Sequence, residues 1–240
     1  MRNAASKLNY RFHERIRIIM ASKGNCYLCG AELGKVAMKN HILKMHSQEI
    51  IEQECVLLKI EGAYDKDYWL YVDLPVDKSL TALDKFLRLI WLECCGHLSA
   101  FRGPGYGGDI GKNRKWSGFD PGDQLLHEYD FGDTTECLIT VVGRTSRSPQ
   151  KSAVRLLARN IPPQFQCAQC GAPASDICIE CIYSSREPFY CTACGERHGH
   201  DEEMLLPITN SPRMGVCGYC GELDTYAFDA KKIEYKGKRK

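Results

Sequence analysis

Pairs of cysteines separated by two residues recur five times in this chain: Cys26/Cys29, Cys167/Cys170, Cys178/Cys181, Cys191/Cys194 and Cys217/Cys220. That spacing lets both thiolates converge on one tetrahedral ion, and zinc is the usual occupant. Fourteen cysteines would also suit the disulfide scaffold of a secreted protein, but such scaffolds are short and do not group their thiols this way. Ten of the fourteen fall in the pairs, which leaves Cys55, Cys94, Cys95 and Cys137 outside them. Metal coordination is the better account.

The first pair opens the stretch CYLCGAELGKVAMKNHILKMH (26–46), in which eleven residues separate Cys29 from His41 and four separate His41 from His46. Two histidines five apart on a helix lie roughly on one face, so both rings can reach the ion held by Cys26 and Cys29. The stretch resembles the two-Cys, two-His zinc finger, one residue short in its loop. Helix positions that face base edges in DNA-reading fingers would be Gly34, Val36, Ala37 and Asn40, of which only Asn40 can discriminate bases. Lys35, Lys39 and Lys44 suit phosphates, which position a protein without specifying sequence.

The other pairs cluster between 167 and 221, together with His198 and His200. Glycines follow three of them (Gly171, Gly195, Gly221), and glycine there lets backbone amides turn toward the sulfurs. The run CAQCGAPASDICIEC…FYCTACGERHGH resembles the cross-braced B-box type. The resemblance implies Cys167, Cys170, Cys191 and Cys194 at one zinc. Cys178 and Cys181 would take a second, completed by two of His198, His200, Cys217 and Cys220. A sequential ribbon arrangement is the competitor that spacing alone leaves open. With the finger, the expectation is about three zinc ions, each four-coordinate.

Ordinary core patterns lie between these modules. CVLLKIEGA (55–63) and YWLYVDLPV (68–76) read as strands, and Ser79 is placed to cap a helix with the apolar stripe Leu80, Leu83, Leu87, Trp91. HLSAF (97–101) is a further strand candidate. Gly132-Asp133 marks a hairpin between QLLHEYDF and TTECLITVV. The Gly-rich loop 103–118 lacks a P-loop signature, and Asp130-Phe131-Gly132 lacks every other kinase motif. WLECCGHLSAF followed by HEYDFGD resembles the plasmid pRiA open-reading-frame-three-like family, which is associated with mobile elements. Over residues 55–143 the resemblance implies an α/β fold with a curved antiparallel sheet and no particular activity. His97, His127, Asp130 and Asp133, with Cys94 or Cys95 as nucleophile, are the residues that could do acid–base or covalent work, yet no nucleophile–base signature links them.

The chain is therefore expected to be α+β: a central mixed domain with a mainly antiparallel sheet, flanked by small zinc-binding modules. The boundaries expected are 1–50 (basic helix and finger), 51–162 (central domain) and 163–240 (double zinc module with basic tail). The net charge of +2 is unevenly spread: residues 1–46 carry nine Lys/Arg against two Glu, and 231–240 six against one. Basic ends on an acidic middle suit phosphate backbones. Arg213 and the tail join Lys35, Lys39 and Lys44 as candidate contacts, and residues 8–21 read as a basic amphipathic helix. No apolar run reaches the roughly 20 residues of a membrane span. Arg11, Arg15 and Arg17 break any signal-peptide core, so a cytoplasmic location is expected. Together these readings point to a non-enzymatic zinc-binding protein that touches DNA, RNA or a ribonucleoprotein. A protein–protein adaptor and a metal-dependent hydrolase are the alternatives.

Overall fold

The computed structural model describes residues 22–46, 52–105, 107–184, 186–221 and 226–232. The N-terminal helix expected over 8–21 and most of the basic tail lie outside them. The fold is α+β. Nine strands form one antiparallel sheet in the order β2-β1-β9-β4-β3-β8-β7-β5-β6, and three more form a small second sheet, β11-β10-β12. The strands of the large sheet are β1 (Lys23–Cys26), β2 (Glu32–Gly34), β3 (Gln53–Gly62), β4 (Trp69–Pro75), β5 (Ser99–Arg102), β6 (Asp109–Ile110), β7 (Gln124–Tyr129), β8 (Thr135–Arg147) and β9 (Arg155–Asn160).

The continuous apolar runs of β3 and β4 have a physical cause: both faces of the sheet are covered. Alternate side chains Val56, Leu58, Ile60, Leu70, Val72 and Leu74 face the main core. There they meet helix α2 (Leu80–Leu87), which continues as a π-helical turn (Arg88–Leu92) and contributes Leu83, Leu87, Ile90 and Trp91. Ser79 precedes this helix in extended conformation, but its side chain makes no cap hydrogen bond.

Residues Leu57, Trp69 and Tyr71 point to the opposite face, where the finger covers them. Its helix α1 (Lys35–Met45) lays Met38 and Ile42 on that second core. Its hairpin extends the sheet itself, since β1 pairs with β9 in the register Gly24↔Asn160 to Cys26↔Ala158. Gly24 is required at this junction: a Cβ there would lie 2.3 Å from the Arg159 carbonyl and 2.4 Å from the Trp69 ring. The finger is thus a structural layer of the central domain rather than a bead on a linker.

Burial on both faces also traps charge. Asp73 is fully buried, with its carboxylate on Arg147 (3.0 Å) and Arg155 (2.6 Å). Asp73→Ala would leave two guanidinium groups without their anion, one of them almost fully buried. Chemical denaturation should show a loss of about 3–5 kcal/mol, and a loss below about 1 kcal/mol would mean the pair is no better than a surface bridge.

The C-terminal module comprises β10 (Asp176–Cys178), α3 (Ile179–Tyr183), β11 (Phe189–Tyr190), α4 (Thr192–Gly195) and β12 (Leu205–Pro207). Its apolar core is small, built on Phe165, Ile177, Ile182, Phe189, Leu206 and Met214. The segment after β12 keeps Met214 in the module's core but also reaches beyond the module. It crosses to the central domain, where Ser211 Oγ donates to the Trp91 carbonyl (2.6 Å) and Asn210 exchanges hydrogen bonds with Asn160. No helix among the described residues is long and apolar enough to cross a membrane.

Candidate metal centres

All fourteen cysteines are free thiols. Among the described residues, eleven of them, with five histidines, gather into four groups whose ligand atoms lie within 4.8 Å of one another. Zinc–ligand bonds of about 2.0–2.3 Å place neighbouring ligand atoms of a tetrahedron roughly 3.3–3.8 Å apart, which is the yardstick for each group.

In the finger, Cys26 ends β1 and Cys29 sits in the turn, where Gly30 at φ +77° donates its N–H back to the Cys26 carbonyl. His41 lies within α1 and His46 is its C-cap residue. Cys26 Sγ lies 3.6 Å from His46 Nε2, Cys29 Sγ 3.1 Å from His41 Nε2, and the two Nε2 atoms are 3.1 Å apart. Burial lowers the pKa of His46 to about 4 and also lowers that of His41, so both rings are neutral and able to ligate at physiological pH.

The C-terminal module gathers alternate pairs. Cys167, Cys170, Cys191 and Cys194 form one group, with Cys170 and Cys191 sulfurs 3.7 Å apart. Burial pushes Cys167 up, but the backbone amides of Cys191, Cys170 and Gln169 outweigh it and bring the thiol down to about 6. Gly171, at φ +73°, closes that turn. Cys178, Cys181, His198 and His200 form the next group, with His200 Nδ1 at 3.3 and 3.5 Å from the two sulfurs. His198 tests whether a metal fits. Its Nδ1 is 2.6 Å from the Gly195 carbonyl, which can only accept, so the proton is on Nδ1. The lone pair of Nε2 then points into the group, buried and without a hydrogen-bond partner. A buried acceptor left so is costly, and a metal ion satisfies it. Glu180 lies 3.5 Å from the outer nitrogen of His200, an orienting carboxylate of the usual kind.

No protein-family model matches this chain, and no curated protein matches it. Among solved structures, similarity extends to part of the chain in a protein of unknown function from Methanosarcina mazei Go1. It is 18% identical, with a TM-score of 0.37 over 50% of this chain and 76% of that one.

The fourth group is Cys94, Cys95, His97 and Cys217. Of the four candidates to complete the Cys178/Cys181 set, His198 and His200 join it, and Cys217 and Cys220 do not. Cys217 has crossed to the central domain with its arm, and Cys220 belongs to none of the four groups, its thiol lying 3.2 Å from the Gly218 carbonyl. Four groups replace the three expected. The signal in the sequence is Cys-Cys-Gly-His, three ligand-type residues within four positions; nothing in the sequence joins it to Cys217, 120 residues beyond His97 and itself in a Cys-x-x-Cys pair.

The residues considered for catalysis do not assemble a catalytic site. His127 is fully buried, with Nε2 on Asp84 (2.8 Å). Asp130, at φ +64°, accepts the Gly132 and Asp133 amides and so fixes its turn. Cys95, His97 and Asp130 are the nearest approach to a nucleophile–base–carboxylate triad. Cys95 Sγ at 2.8 Å and Asp130 Oδ2 at 3.3 Å, however, meet the same ring nitrogen, Nε2 of His97. A triad needs the carboxylate on the other nitrogen.

Arg213 is another correction. It is fully buried, donating to Asp130 Oδ2 (2.7 Å), the Asp133 carbonyl and Thr135, so no phosphate can reach it. Lys35 is held by the Glu61 carboxylate and the Lys66 carbonyl. Lys39 is half-buried, and Lys44 is exposed, as are Val36, Ala37 and Asn40 on the same helix.

Proposed function

We propose that this chain is a non-enzymatic, zinc-organised binding protein that contacts nucleic acid through its finger helix and its basic ends. The observation that carries the metal part is the His198 lone pair, aimed unpartnered into a set of three other ligand atoms. Each group supplies four ligands, and closed four-ligand zinc has no position for a reacting water, which favours stability over hydrolysis. The nucleic-acid part rests on half-buried Lys39 and exposed Lys44 of α1, and on the Lys/Arg excess at both ends of the sequence. With Asn40 the sole base-reading side chain on that helix, backbone contact comes before sequence reading. Kinship to the pRiA open-reading-frame-three-like family belongs to the same proposal, on WLECCGHLSAF and HEYDFGD.

Binding of mixed-sequence RNA and DNA to the zinc-loaded chain, followed by fluorescence anisotropy, tests this. If about four phosphates are neutralised, affinity should fall roughly a hundredfold between about 50 and 200 mM salt. Lys39→Glu with Lys44→Glu should weaken binding to both nucleic acids alike and flatten the salt slope. Absent or salt-insensitive binding removes the reading. It would turn attention to Leu98 (72% exposed), Phe131 (54%) and Tyr183 (59%), apolar side chains that favour an adaptor role. That role is recognised by a protein partner that survives nuclease treatment.

A further inference from the structure

We propose that Cys94, Cys95, His97 and Cys217 form a fourth zinc site, one that clasps the arm after β12 onto the central domain and gives up its ion before the other three. Three of the donor separations match a tetrahedron, Cys94 to Cys95 at 3.7 Å, Cys95 to Cys217 at 3.8 Å and His97 Nε2 to Cys217 at 3.3 Å, while Cys95 to His97 Nε2 is shorter, 2.8 Å. Thiolate-rich sets of this kind select zinc over magnesium or calcium. A disulfide accounts for the cluster less well, because pairing any two thiols strands the third sulfur and the imidazole beside it.

The surroundings are built for a fixed, charged group. Gly96, at φ +82°, makes the turn that aims Cys95 and His97 to one side. Its amide donates to Glu93 Oε1 (2.6 Å), Arg88 bonds Glu93 Oε2 (2.7 Å), and Arg88 also holds the His97 carbonyl (2.5 Å). Cys217 sits at φ +49°, a left-handed conformation that a non-glycine residue keeps only when something holds it there. Three thiolates, one neutral imidazole and a divalent ion sum to one negative charge. The buried guanidinium of Arg213 lies 3.4 Å from Cys94 Sγ, placed to balance it.

Position gives the site its role. Three ligands come from the loop between the π-helical turn and β5, and the fourth comes from the far end of the chain, so an ion here ties the arm down beyond Ser211. Exposure gives it its lability. Cys95 and Cys217 are both exposed, whereas the four-cysteine group has one exposed ligand, Cys170, and the two mixed groups have none. A competing chelator attacks through ligands it can reach.

The test uses the reduced, zinc-loaded full chain and reads metal, not nucleic acid, so its outcome is independent of the proposed binding function. Native mass spectrometry should count four ions in the unaltered chain and in Cys220→Ala, and three in Cys95→Ala and in Cys217→Ala. Cobalt(II) substitution of the unaltered chain should reveal one three-sulfur, one-nitrogen site, a readout that does not depend on any variant folding. Limiting chelator should remove one ion first, with loss of amide protection around 214–219 and none in the finger. Three ions in the unaltered chain, an unchanged count in both Cys95→Ala and Cys217→Ala, or loss of an ion in Cys220→Ala would overturn the proposal. So would first loss from the finger.

Discussion

Stripping zinc from the reduced chain at neutral pH should unfold both ends while the central sheet keeps its fold. The reasoning is one of core size. The C-terminal module has Phe165, Ile177, Ile182, Phe189, Leu206 and Met214 and little else beyond its cysteines. With the proposed zinc bound, such a module draws its folding energy from the metal, and a structural zinc is worth about 10–16 kcal/mol of binding free energy. The main core, from Val56 and Leu58 to Trp91, Trp116 and Ile139, contains no proposed ligand except the half-buried Cys94 packed at its margin. The three tryptophans divide the outcome. Trp69 lies under the finger and should shift its emission to the red when Met38 and Ile42 leave it, whereas Trp91 and Trp116 stay buried. Amide exchange assigns the loss to segments. Acid should act in the same direction. Burial holds His46 at about 4 against an ordinary 6.5, so the unfolded finger binds a proton that the folded one refuses. That contribution is complete above pH 6.5 and is lost as pH falls toward 4. A metal-free chain that keeps amide protection at both ends would refute the account.

How far these features could be read in the sequence depended on the range of the interaction. Spacing within one helix or one turn is local, so the finger ligands and the Cys-x-x-Cys pairs were visible in the chain. The strands at 55–63 and 68–76 were visible as well, because VLLKI and WLYVDL are apolar on both faces. What covers the second face was not visible. Nothing in Met38 or Ile42 says that they pack on Leu57, Trp69 and Tyr71 rather than on the finger's own hairpin. Arg213 misled for the same reason: an arginine in a Pro- and Gly-rich segment looks solvated until Asp130, 83 residues earlier, is placed beside it. Spacing leaves Cys217 as one of four candidates to complete the Cys178/Cys181 set, whereas the chain carries it to Cys94, Cys95 and His97.

Arg213→Ala should be among the most damaging single substitutions in the chain. The side chain is fully buried, and burial alone would disfavour its charge. The Asp130 carboxylate outweighs that and holds the guanidinium's pKa above its ordinary value. The cation also lies 4.8 Å from the Tyr129 ring centroid and donates to the Asp133 carbonyl and Thr135. Removing it leaves Asp130 nearly buried without its counter-charge, and two acceptors without a donor. Breaking one partner of such a pair costs about 3–5 kcal/mol. The lower end of that range is expected here, because the Gly132 and Asp133 amides still reach Asp130. Asp130→Asn in the same background should recover part of the loss, because no unpaired carboxylate then remains. A double-mutant cycle in denaturant therefore separates the ion pair from the packing. Arg213→Lys is not a conservative control: a single ammonium cannot reproduce a fork that meets Asp130 on one nitrogen and Asp133 and Thr135 on another. If Arg213→Ala and Arg213→Lys both proved neutral, the arm would be anchored by Ser211, Asn210 and the cysteine cluster alone, and the guanidinium's burial would be incidental.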